Sequence, residues 1–102
     1  MKITEQLQET VEQADLVNKV QSIIDFLVTE TAELEEEREH AVKTNQPVYY
    51  QAVNNNIKQN FVISSTLLAI RNDIESMHDD IQRHINKEKS ASVQSANSTD
   101  NA

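Results

Sequence analysis

The sequence predicts an all-α protein. Three observations carry that reading: 102 residues contain no Gly, they contain a single Pro, and apolar residues recur at steps of three and four over two long segments. Gly reaches positive φ without steric cost, so tight hairpins and phosphate-cradling loops are usually built with it. Its absence argues against β-hairpins, Gly-rich nucleotide loops and most enzyme scaffolds. It suits long helices, where Gly costs about 1 kcal/mol relative to Ala. The length is enough for one domain.

Residues 2–44 read as a first helix. Its apolar positions are Ile3, Leu7, Val11, Ala14, Val17, Val20, Ile24, Leu27, Leu34 and Ala41, with Thr31 and Arg38 filling two places in the same seam. From Val17 the steps run 3, 4, 3, as in a heptad. Leu16, Ile23, Phe26 and Val28 widen the apolar face. Asp15 could start a new helix, although no Pro or Gly marks a break there.

The turn is expected at 45–47. Pro47 disfavours a helical Gln46 and suits the first turn of the next helix, and Asn45 is the best available residue for a left-handed helix terminus. The second helix, 48–88, carries Tyr50, Val53, Ile57, Phe61, Ile63, Leu67, Ile70, Ile74, Met77, Ile81 and Ile85, broadened by Val62 and Leu68. Residues 90–102 hold one bulky apolar residue, Val93, and read as a disordered tail.

Folding the chain back at Gln46 sets Leu34 opposite Ile57, Ile24 opposite Leu68 and Leu7 opposite Ile85. The two seams match in length and in where they widen, which predicts a long antiparallel helical hairpin over 1–89, a coiled coil. Each helix would run roughly 60 Å at 1.5 Å per residue. Two helices touching along one line leave most of each circumference in water. The extra apolar residues Leu16, Ile23, Phe26, Val62 and Leu68 look like surface for further helices. A four-helix assembly is therefore expected, by self-association or with other chains. The alternative is a break near Asp15 that gives a monomeric three-helix bundle.

Without Cys there is no disulfide, thiolate zinc site or Cys nucleophile. A net charge of -8 disfavours nucleic acid and anionic membrane surfaces as direct partners. The longest apolar run, Leu67-Leu68-Ala69-Ile70, is far too short to span a membrane. The start Met1-Lys2-Ile3-Thr4-Glu5 lacks the apolar run of a signal peptide.

Several residues invite chemical readings. Glu33 and Glu36, within the acidic run 30–39, could share a divalent ion, but Glu75 and Asp79 lie near the far end from the turn. A solvated face that steers a basic partner explains the run better. His40 follows Glu36 by four residues and His84 follows Asp80 by four, a spacing that abundant acids also give by chance. Arg71 and His78 have the Arg-to-His spacing of HEPN-type ribonucleases, yet both flank the seam. Tyr49 and Tyr50 could anchor a partner or cap the turn end. No catalytic residue, metal or cofactor is expected. The expected partner-binding seam is Val20, Ile24, Leu27, Leu34, Ile57, Phe61, Ile63, Leu67, Ile70, Ile74 and Met77.

Two blocks carry a family likeness. They are Ile24-Asp25-Phe26-Leu27-Val28-Thr29-Glu30, followed by a charged helix end and Pro47, and Asn60-Phe61-Val62-Ile63-Ser64-Ser65-Thr66-Leu67-Leu68, running on through Ile74, Met77, His78 and Ile81. With their separation they resemble the snapin-like subunits of the complex for biogenesis of lysosome-related organelles. The likeness covers about two thirds of the chain, from Val20 to Ile85. It implies a helical, non-enzymatic adaptor in a cytosolic complex of endosome-to-lysosome traffic. Sibling helices would fill the seams, and contact with endosomal membranes would come through partners. The alternative from the residues is a small bacterial helical chaperone or immunity protein that binds one client.

Overall fold

A computed structural model describes the backbone of residues 3–100 and the side chains of residues 3–91. It is all-α, with α1 over Ile3–Ala14, α2 over Leu16–Lys43 and α3 over Pro47–Asp100, and no strand among the described residues. Two boundaries differ from the sequence expectation. The first helix is broken at Asp15, whose φ is 51°. Asp is one of the few residues that take the left-handed region without a large steric cost. The Asp15 amide donates to the Glu12 carbonyl at 3.2 Å, closing the end of α1. The second difference is that α3 runs on to Asp100, through most of the segment expected as a tail. Residues 89–100 contain no Gly or Pro to end a helix, and Ala91 and Ala96 favour one. Lys2 and residues 101–102 lie outside the described residues.

The turn between α2 and α3 forms as its residues suggest. Asn45 sits at φ 53°. The Gln46 amide donates back to the Ala41 carbonyl at 2.9 Å and the Asn45 amide to the Val42 carbonyl at 3.1 Å. This pair of bonds is a Schellman motif, which satisfies carbonyls that the helix end would otherwise leave open. Pro47 then starts α3, where its missing N–H costs nothing.

The chain divides into two compact units, Val17–Asn72 and a second made of Met1–Leu16 with Asp73–Ala102. In the first unit, the residues of α2 withdrawn from water are chiefly Val17, Val20, Ile24, Leu27, Thr31, Leu34, Arg38 and Ala41. Their steps alternate three and four. On α3 the corresponding row is Val53, Ile57, Asn60, Ser64, Leu67 and Arg71. Cross-helix hydrogen bonds pair the two in reverse order. Arg71 donates to Gln21 Oε1, Asn60 Nδ2 reaches Glu30 Oε1 at 3.3 Å and Thr31 Oγ1 at 3.4 Å, and Arg38 Nη1 donates to Asn54 Oδ1 at 2.9 Å.

In the other unit, Thr4 Oγ1 donates to Glu88 Oε1 at 2.8 Å and Gln8 Nε2 donates to Gln82 Oε1. Ile85 is buried there, and Val11, Ala14, Ile74, His78 and Ile81 are half-buried. The buried apolar set across the described residues is small: Ile24, Leu27, Ala41, Val53 and Ile85.

Candidate functional site

The eleven seam residues expected from the sequence separate into two groups. Ile24 and Leu27 are buried, and Val20, Leu34, Ile57, Leu67 and Ile74 are half-buried. Phe61, Ile63, Ile70 and Met77 are exposed, Phe61 by 70% and Met77 by 60%. The expected row Ile63, Ile70, Met77 is therefore not the row that α3 turns inward. The inward row lies one residue later in each repeat, at Ser64, Arg71 and His78. The cause is the width of the apolar face. Leu67 and Ile74 belong to either reading, and a face wider than one contact line lets the paired helix settle to one side of its centre.

The residues that widen the seams in sequence, Leu16, Ile23, Phe26, Val62 and Leu68, are all exposed. Of these, Ile23, Phe26 and Leu68 flank the α2–α3 contact within the unit Val17–Asn72, while Leu16 belongs to the other unit. On one flank, Val28, Ala32, Ile57 and Phe61 line a groove of about 390 Å³, with Thr31, Glu35 and Ser64 on its rim. On the other flank stand Ile23, Phe26, Ile63 and Ile70. An isolated exposed Leu or Ile is ordinary on a protein surface, but a run of large apolar side chains along two neighbouring helices is not.

Asn60 is a core residue that periodicity alone misses. It is only 8% exposed and sits where an apolar residue would fit the spacing. Its amide is held by Glu30 and Thr31, as a buried polar group requires. The signal that could have found it is its position, three residues after Ile57 and seven before Leu67.

The acidic run lies on the solvated side of α2, with Glu33, Glu35, Glu36, Glu37 and Glu39 exposed. Tyr49 Oη donates to Glu37 Oε2 at 3.2 Å. The Tyr49 phenol is raised above its ordinary 10.0 by desolvation, then by the bond to Glu37 and by that carboxylate's charge. Arg71 and His78 are each half-buried in the inward row of α3. Arg71 is engaged with Gln21, and His78 Nε2 is buried without a hydrogen-bond partner among the described residues. His78 lines a pocket of about 200 Å³ together with Gln8, Val11, Glu12 and Gln82. Among the described residues, no group of three or more His, Asp or Glu could hold a metal ion. No described helix is long and apolar enough to cross a membrane.

Comparison with protein-family models, with curated proteins and with solved structures returned no match.

Proposed function

We propose that this chain is a non-enzymatic helical adaptor: an antiparallel α2–α3 hairpin that presents apolar flanks to helices of other proteins, in a four-helix arrangement. The observation that carries the reading is the exposed apolar surface of the unit Val17–Asn72, where Ile23, Phe26, Val28, Phe61, Ile63, Leu68 and Ile70 all face water. Burying such surface contributes about 25 cal/mol per Å², and a helix laid along it is the geometry that buries most. The reverse order of the α2–α3 hydrogen bonds supports the hairpin.

The endosome-to-lysosome setting, with sibling subunits as partners and a cytoplasmic location, rests on the snapin-like blocks alone. An acidic, helical surface serves a single-client chaperone or immunity protein equally well. Affinity purification of the tagged chain from its own cells separates these readings. A fixed-stoichiometry set of small helical proteins supports the adaptor. One client, or the chain alone as a monodisperse species, overturns it in favour of the alternative.

A further inference from the structure

Within Val17–Asn72, the flank that holds Ile23 is not chemically uniform along its length. Ile23, Glu30 and Glu37 follow one another at steps of seven on α2, and Tyr49, Asn56, Ile63 and Ile70 do so on α3. A seven-residue step returns to nearly the same side of a helix. The bond from Tyr49 to Glu37 joins these two rows directly, which places them on the same side of the helix pair. Phe26 and Glu33 stand three residues after Ile23 and Glu30, so they extend the same flank outward. The flank therefore has an apolar half, formed by Ile23, Phe26, Ile63 and Ile70, and an acidic half nearer the turn, formed by Glu30, Glu33 and Glu37. Lys19, seven residues before Phe26, stands at the far apolar end, and no Lys or Arg stands among the acids Glu30, Glu33 and Glu37. From Ile23 to Glu37 the flank runs about 21 Å at 1.5 Å per residue, four turns of helix.

Resting on the adaptor reading, we infer that this flank binds an amphipathic helix of another protein, one with an apolar stripe that continues into Lys or Arg residues lying toward the α2–α3 turn. The argument is charge complementarity. Three carboxylates in line with an apolar strip attract a cationic helix end and repel an anionic one. A second copy of this chain is a poor occupant, because each copy carries a net charge of -8. The acids give orientation, since a helix docked in the reverse sense would lay its apolar half on carboxylates and strand its cations over Ile23 and Phe26.

The test uses the full chain and two synthetic helical probes of about 21 residues. Both carry Leu at seam spacing. One ends in four Lys over its last two turns, and the other has Glu at those places. Affinities are measured by titration calorimetry at low and at high salt. The Lys probe is expected to bind at least tenfold tighter than the Glu probe at low salt, with the preference shrinking at high salt as surface charges are screened. The combined variant E30Q/E33Q/E37Q should remove the preference. Ile70→Ser should weaken both probes severalfold while the helical signal of the free chain is kept, because Ile70 is exposed. If the probes bind equally, or if Val28→Ser rather than Ile70→Ser abolishes binding, the partner lies elsewhere. This inference then fails while the adaptor reading stands. If neither probe binds and the chain sediments as a homodimer with this flank protected, the occupant is a second copy, and both fail.

Discussion

Asn60 tests whether the contact between α2 and α3 is read correctly, because it is a polar residue in an otherwise apolar position. Its two hydrogen bonds, at 3.3 and 3.4 Å, are long. Each belongs at the low end of the net range, about 0.5 kcal/mol. Asn60→Leu removes them. Thr31 keeps its bond to the Leu27 carbonyl at 2.7 Å, and half-buried Glu30 turns to water. The loss is therefore about 1 kcal/mol. The gain is burial of a Leu side chain, about 2 kcal/mol, the cost of desolvating the amide being already contained in the net hydrogen-bond figure. The larger side chain returns part of this as strain, so a net stabilisation of up to about 1 kcal/mol is expected. In a urea titration followed by helical circular dichroism, the midpoint should rise by roughly 0.5 M with an unchanged slope. The same substitution should reduce register uniqueness, as loss of a seam Asn does in coiled coils. A midpoint that falls would refute the reasoning, because Asn60 would then be doing more than filling a seam place.

Three further outcomes follow from the geometry. Asn45→Ala should cost about 1 kcal/mol at the left-handed turn position while Asn45→Gly costs less, measured by the same titration. Ala41, fully excluded from water beside the turn, leaves no room for a larger side chain, so Ala41→Leu should destabilise by about 1–3 kcal/mol in thermal unfolding. Glu37→Gln should lower the Tyr49 titration toward its ordinary value, read from phenolate absorbance in a Tyr50→Phe background. Because folding raises this acid, its contribution to stability is whole below about pH 10 and declines as pH climbs from there through the raised value. Glu37→Gln should make that alkaline decline shallower.

Much of the fold was legible because its strongest determinants are local. The turn needed a residue that accepts positive φ and one that cannot continue a helix, and Asn45 and Pro47 are those residues. Ile24, Leu27 and Leu67 were assigned to the contact from spacing, and they are withdrawn from water. The break at Asp15 was harder to read. One residue changes its backbone angles without Gly, without Pro and without disturbing the apolar pattern on either side. The choice between Ile63, Ile70, Met77 and Ser64, Arg71, His78 was not legible at all. Hydrophobicity favours the first row, but which row a paired helix covers depends on where it settles across a wide face, a tertiary property. The acidic flank was visible as composition. Its alignment with Ile23 and Ile63 needed the Tyr49–Glu37 bond.

The inward row of α3, with Ser64, Arg71 and His78 in the contact and Ile63 and Ile70 outside it, has a consequence for the life of the molecule. On the adaptor reading, a chain that keeps polar residues in its own contact and apolar ones on its surface leaves part of its folding free energy to be completed by binding. Ligand linkage then sets its lifetime. Each bound helix adds RT ln(1 + [L]/Kd) to stability, about 2.7 kcal/mol at a hundredfold excess over Kd. Copies in excess of their partner open more often and are cleared by proteolysis first. The cellular level of this chain should therefore follow the level of whatever it binds, rising and falling with it at constant synthesis.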